Sequence, residues 1–136
     1  MKFLPVLVFF SILFAAPIGV SAQETDKSSF DPAYTHVVYF WLHNPDDPDD
    51  RRAFESALRK LLATSRYTKT NYVGVPPKAT REVVDDSFTY TMIVTFDSAD
   101  SQDAYQREQV HLDFISEAGH LWKKVVVYDA MGLAPH

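Results

Sequence analysis

The stretch AYTHVVYFWL, residues 33–42, decides the fold because it predicts a strand that is apolar on both faces. β-Branched and aromatic residues fill the positions from Tyr34 to Leu42, and Asn44-Pro45 ends the run. Successive side chains of a strand point to opposite faces of its sheet. From Val37 onward both alternating sets are apolar, so we expect both faces to be buried.

A helix is predicted directly after this strand. Asp47 is a favoured N-cap residue, and Pro48 suits the first helical position. The acidic run Asp46–Asp50 lacks the central Gly and the distal Glu of a calcium-binding loop, so we interpret it as a helix start. The apolar residues that follow recur at the spacing of one buried helical face: Phe54, Leu58, Leu61 and Leu62.

Three further strands and a second helical region complete the pattern. In FTYTMIVTF, residues 88–96, alternation places Phe88 and Tyr90 on one apolar face and leaves the other face more polar. Ser98 is suited to cap the next helical segment, which is either one helix or two short ones. The predicted bounds are Asn71–Val75 and Phe88–Phe96 for two strands, Ala99 to about Gly119 for the helical segment and Lys124–Ala130 for the last strand.

The predicted order, β-α-β-β-α-β, is typical of an α+β, ferredoxin-like fold with an antiparallel four-stranded sheet and helices on one face. Because the first strand is apolar on both sides, the face away from the helices also needs cover. A second copy of the chain is the simplest cover, and two sheets packed face to face form a dimeric α/β barrel. Because both faces are apolar, the sequence pattern does not determine to which face His36 points.

The N-terminal segment has the pattern of a secretory signal. Residues 1–22 contain an early Lys2, an apolar run and small residues before Gln23, where we expect cleavage. A flexible leader over residues 23–33 and one domain over residues 34–133 are then predicted. We expect an exported protein, periplasmic or secreted, that is not held in a membrane after cleavage.

Composition and motifs exclude several classes of function. The formal net charge is −5 at pH 7 and no basic stripe with interleaved aromatics occurs, so no nucleic-acid partner is expected. The absence of cysteine excludes thiol catalysis and cysteine-ligated metal. There is no G-x-S-x-G nucleophile motif and no glycine-rich phosphate loop.

Four stretches of the chain resemble the stress-responsive A/B barrel (Dabb) domain of the dimeric α/β-barrel superfamily. They are THVVYFWL, FTYTMIVTFDSADSQDAYQ, VHLDF and KKVVVYDAMGL. The specificity lies in the order and spacing of four features: a His that opens the first strand, a strand that ends in TF-[DE]-S, a Tyr six residues before a second His, and a final V-x-V-[FY]-D. The resemblance covers Tyr34 to Leu133.

The resemblance implies three candidate catalytic residues: His36, Tyr105 and His111. In olivetolic acid cyclase, a plant member of this family, matching residues serve a cofactor-free aldol closure. His111 would then be the base, and Tyr105 and His36 would donate hydrogen bonds to an enolate oxygen. Residues six apart do not share one face of a straight helix, so convergence requires a break near residues 107–109. Leu58 stands where the cyclase has a further Tyr.

Structural interpretations of the same residues stay open. His36 can be a core histidine bonded to backbone, Tyr105 a core aromatic, and His111 a helix histidine paired with Glu108 or Asp113. A metal site could be formed by His36, His111 and His120 with Glu108 or Asp113, but no short ligand spacing such as HxH or HExxH supports it, so no metal or cofactor is predicted.

The resemblance implies a homodimeric domain that binds a small hydrophobic ligand in a pocket between sheet and helices. One alternative is a polyketide-cyclase-like lyase that needs no cofactor. A second is a cofactor-independent monooxygenase, a chemistry that related barrels host. Fold alone does not choose among them.

Overall fold

A computed structural model of the chain describes residues 33–133. The predicted signal segment and all but the last residue of the predicted leader lie outside these residues. None of the helices between residues 33 and 133 is long and apolar enough to cross a membrane. The elements are β1 (Tyr34–Leu42), α1 (Pro48–Thr64), β2 (Asn71–Gly74), β3 (Tyr90–Phe96), α2 (Ala99–Gln106), α3 (Gln109–Ala118), a 3₁₀ turn (Gly119–Leu121) and β4 (Trp122–Met131).

The strands form one antiparallel sheet in the order β2-β3-β1-β4. The predicted α+β, ferredoxin-like arrangement is therefore confirmed, with the second helical segment divided into α2 and α3. β1 is hydrogen-bonded on both sides, whereas β2 and β4 are edge strands. This order places the first and last strands next to each other, and the candidate site depends on that pairing.

The core lies between the helices and one face of the sheet. Phe54 of α1 is fully buried, with its ring centroid 5.0 Å from that of Phe40 and 4.9 Å from that of Tyr90. Leu58 and Leu61 are buried on the same side of α1, as their spacing predicts.

The other face of the sheet, which we call the outer face, is only partly covered by the chain itself. Val37, Tyr39 and Trp41 are half-buried there, so the predicted burial of both faces of β1 holds within one chain only for the helix face. Ser87 accepts a hydrogen bond from Trp41 Nε1 at 3.0 Å, and the Phe88 ring lies 4.9 Å from that of Tyr39. The loop after β2 thus shields part of the outer face.

Three strands differ from their predicted bounds. β2 ends at Gly74, one residue early. β4 spans Trp122–Met131 and is longer at both ends, because Trp122 pairs with Leu42 beyond an irregularity in β1 and Met131 pairs with Tyr34. β3 begins at Tyr90, where pairing with β1 begins. Phe88 precedes it and packs on the outer face, so its predicted place beside Tyr90 is wrong.

The start of α1 gives a test of the helix capping. The Asp47 carboxylate accepts hydrogen bonds from the backbone N–H groups of residues 49 and 50, at 2.8 and 3.0 Å. We expect Asp47→Ala to lower the free energy of unfolding by about 1 kcal/mol in urea titrations. Asp46→Ala removes a neighbouring charge that caps nothing, and should cost less than about 0.5 kcal/mol. Equal losses in the two variants would contradict the capping role.

Candidate functional site

His36 lies on the helix face of β1, which answers the question left open by the sequence. It is 4 % exposed, and its ring centroid is 6.1 Å from that of Tyr105 and 6.2 Å from that of Phe96. The sheet register places Asp129 of β4 directly beside it. His36 Nδ1 and a carboxylate oxygen of Asp129 are 2.6 Å apart.

The break between α2 and α3 brings the other two candidate residues together. α2 ends at Gln106 and α3 begins at Gln109, and the extended backbone of Glu108 separates them. The ring centroids of Tyr105 and His111 are consequently 4.6 Å apart. The helix break that convergence requires is present, and the structure brings all three candidate residues together.

These three side chains line a cavity of about 180 Å³ between the sheet and α2–α3. The rest of its wall is mainly apolar, and includes Met92, Phe114 and Trp122. Val125 and Val127 of the edge strand β4 also line it, and both are partly exposed. The cavity therefore opens to the surface over β4.

The hydroxyl of Tyr105 is a buried polar group without a hydrogen-bond partner in the described residues. The rest of the Tyr105 side chain is fully buried as well. Leaving a buried donor unpaired costs roughly 1–3 kcal/mol. Burial, with a smaller contribution from the Glu108 carboxylate, raises the pKa of Tyr105 far above its ordinary value of 10.0. The hydroxyl keeps its proton at neutral pH and is a hydrogen-bond donor.

His111 has the properties of a neutral imidazole at pH 7. Burial lowers its pKa from 6.5, and His36 adds to this, while the Gln106 carbonyl and Glu108 act in the opposite direction. Its Nδ1 is 3.3 Å from the Gln106 carbonyl oxygen, which can only accept. The proton of a neutral ring therefore lies on Nδ1, and Nε2 keeps a lone pair.

The structural interpretation that pairs His111 with Glu108 or Asp113 does not agree with the structure, in which the Gln106 carbonyl is the hydrogen-bond partner of its ring. The Glu108 carboxylate accepts hydrogen bonds from residues at the end of α1, and Asp113 accepts one from Gln109. Spacing along α3 does not reveal these partners because Glu108 precedes the helix and points away from it.

The structural interpretation of His36 as a core histidine bonded to backbone also differs from the structure, because the partner of its ring is the Asp129 carboxylate. Because an ionised carboxylate can only accept a hydrogen bond, the Nδ1 of His36 is the donor to Asp129, and the Nε2 of a neutral His36 can then only accept. Donation by His36 to an enolate oxygen, as the resemblance implies, thus requires a protonated ring. Sequence reasoning missed Asp129, although it is the last residue of the quoted V-x-V-[FY]-D motif.

Other candidate ligands of a metal do not converge with these residues. His120 lies in the 3₁₀ turn and does not line the cavity. Within residues 33–133 no group of three His, Asp or Glu side chains is arranged to hold a metal ion. Leu58 is buried in α1 and lies along a separate cleft beside Tyr90, so the cavity has no polar group from the first helix.

Comparisons with known proteins bear on this fold and site. A hydroxynitrile lyase from Passiflora edulis is 18% identical, with a TM-score of 0.65, over 78% of this chain and 99% of its own. A Dabb family protein from Mesorhizobium loti is 16% identical, with a TM-score of 0.62, over 74% and 97%. A dimeric ferredoxin-like protein of unknown function from Thermobifida fusca is 19% identical, with a TM-score of 0.58, over 72% and 89%.

At these identities the solved structures show a shared fold alone. No curated protein sequence matches the chain. The family model of the stress responsive A/B barrel domain, in contrast, matches residues 34–131, which include every element of the sheet and all three candidate residues. The chain therefore belongs to the stress-responsive A/B barrel (Dabb) family.

Proposed function

We propose that this protein binds a small, largely apolar ligand that carries one hydrogen-bond acceptor, such as a carbonyl oxygen. The observation that carries the proposal is the buried, unpaired hydroxyl of Tyr105, a residue that lines a cavity with otherwise mainly apolar walls. A ligand acceptor would satisfy this donor and remove the cost of leaving it unpaired.

The dimensions of the cavity limit the ligand. Its volume of about 180 Å³ is below the range of roughly 300–1,000 Å³ that is typical of sites for drug-sized molecules. The aromatic and aliphatic walls favour an apolar body of about one ring. His36 and His111 supply further polar contacts on the same wall as Tyr105.

A second candidate function is a cofactor-free lyase that acts next to a carbonyl. His111 would take a proton from the carbon beside the carbonyl through Nε2, and the C–H electron pair would form an enolate. Tyr105 would donate a hydrogen bond to the enolate oxygen. The lowered pKa of His111, which keeps its base form present at neutral pH, favours this candidate. The structural likeness to a hydroxynitrile lyase is compatible with it.

We also propose that the protein is exported after cleavage before Gln23 and assembles as a homodimer through the outer face. The signal-like pattern of residues 1–22 supports export. The outer face supports the dimer, since Tyr128 is 63 % exposed there and a cleft of about 500 Å³ runs along it. The related Thermobifida fusca protein is described as dimeric.

Ligand binding is tested with acetophenone and ethylbenzene, which have similar shapes but differ in the carbonyl oxygen. We expect the wild-type protein to bind acetophenone about fivefold more tightly, because one net hydrogen bond contributes about 1 kcal/mol. Tyr105→Phe removes the hydroxyl and should bring the two dissociation constants together. Calorimetry or ligand-observed NMR measures both. A preference for acetophenone that survives in Tyr105→Phe would rule out Tyr105 as the recognition group.

The lyase candidate is tested by exchange of the methyl protons of acetophenone in deuterated buffer, followed by NMR. If His111 is the base, His111→Gln should slow the enzyme-dependent exchange about 100-fold. His43→Gln, at an exposed histidine, should leave it unchanged. Because burial lowers the pKa of His111, the wild-type rate should fall only as the pH drops below about 6.5. No exchange above buffer would exclude this candidate, and substrate-dependent oxygen uptake would indicate a monooxygenase.

Export and assembly are tested together by mass spectrometry of the full chain expressed in a host with a secretory pathway. The denatured mass of the exported protein should correspond to a chain that begins at Gln23, and the native mass should be twice as large. Tyr128→Glu adds a charge to the outer face and should give monomers, whereas Val83→Glu, in an exposed loop, should not. A native mass of one chain for the wild type, or an uncleaved N-terminus, would contradict the corresponding proposal.

A further inference from the structure

Glu108 is a buried carboxylate that neither of the proposed functions uses. The residue is 8 % exposed, and its side chain accepts a hydrogen bond from Ser65 Oγ at 2.8 Å and one from the Arg66 backbone N–H at 3.0 Å. The Arg66 guanidinium lies 3.5 Å from the same carboxylate. Burial of a carboxylate is costly unless such partners are present. All three groups belong to Ser65 and Arg66, which directly follow α1 and stand more than 40 positions earlier in the chain.

The Glu108 carboxylate does not cap its own helix, α3, but lies at the end of another helix, α1. Glu108 is the N-cap residue of α3, yet its side chain makes no capping bond to that helix. It lies instead at the C-terminal end of α1, where Ser65 is the C-cap. The helix dipole is negative there, and it disfavours an anion. The bonds to α1 are therefore made at the expense of the capping bond and against the dipole.

The backbone of Glu108 connects the two site residues. Its N–H donates to the Tyr105 carbonyl at 3.1 Å, and its own carbonyl accepts from the His111 N–H at 3.0 Å. Fixing Glu108 to α1 consequently fixes the last turn of α2 and the first turn of α3 relative to each other. The spacing of 4.6 Å between the rings of Tyr105 and His111 arises across this connection.

We propose that Glu108 is a positioning residue, whose carboxylate ties the α2–α3 break to the end of α1 and thereby holds Tyr105 and His111 at the spacing that ligand recognition needs. The effect of Glu108 on ligand recognition rests on the proposed binding function. The geometric effect can be measured in the protein without any ligand.

Glu108→Ala and Glu108→Gln separate positioning from charge. The amide of Gln can keep both contacts, since its oxygen accepts from Arg66 N–H and its NH₂ donates to Ser65 Oγ. We expect Glu108→Ala to lose the nuclear Overhauser contacts between the Tyr105 and His111 rings, and its preference for acetophenone over ethylbenzene to fall from about fivefold to about one. Glu108→Gln should retain both. Its His111 titration should move to lower pH, because the Glu108 charge raises the pKa of that histidine.

Glu117→Gln is the matched control. Glu117 also connects α3 to α1, through an ion pair with Lys60 at 2.6 Å, but it lies on the surface and away from the break. This variant should keep the ring contacts and the ligand preference. Ser65→Ala removes one partner of Glu108 at a partly exposed position and should weaken the contacts between the Tyr105 and His111 rings. It tests the positioning role if Glu108→Ala does not fold.

The outcomes are distinguishable. Intact ring contacts in Glu108→Ala would overturn the positioning role, as would intact ring contacts in Ser65→Ala if Glu108→Ala does not fold, or equal losses in Glu117→Gln. A wild-type protein without any preference for acetophenone would overturn the proposed binding function. The ring contacts would still decide the role of Glu108 in that case.

Discussion

The structure depends on β1 being the central strand, hydrogen-bonded to β3 on one side and to β4 on the other. Its helix face forms the middle of the core, and its outer face carries aromatic side chains that one chain covers only in part. The pairing with β4 joins residues near the two ends of the described chain. That pairing brings Asp129 beside His36, so the same constraint that organises the sheet also builds the polar part of the cavity.

Two separate structural features then bring the site residues together. The sheet register fixes His36 and its carboxylate partner, whereas the interruption between α2 and α3 places Tyr105 and His111 side by side. The chemical states that follow are complementary. Tyr105 remains a protonated donor, and the lowered pKa of His111 and its Nδ1 contact with the Gln106 carbonyl favour a neutral ring with a lone pair on Nε2. A donor and a base next to each other in an apolar cavity suit a ligand with a carbonyl group and an acidic neighbouring carbon.

Local patterns predicted much of the fold, because strands and helix starts are encoded by adjacent residues. The bounds of β1 and the Asp47 cap were confirmed at the residue level. The convergence of Tyr105 and His111 was conditional on a helix break, which the structure contains.

Long-range contacts were not predictable in the same way. Asp129 and His36 are 93 residues apart and come together only through the register of β1 and β4. Glu108 contacts the end of α1 only once the helices are packed. Phe88 was misplaced because strand alternation does not show where pairing begins.

We propose that the Tyr105 hydroxyl donates a hydrogen bond to a ligand bound in the cavity between the sheet and α2–α3. A crystal structure of the protein with bound acetophenone tests it most directly. We expect the ketone in this cavity, with its oxygen about 2.7–2.8 Å from the Tyr105 oxygen. Acetophenone bound only in the larger cleft of the outer face, with the Tyr105 hydroxyl still unpaired, would contradict it.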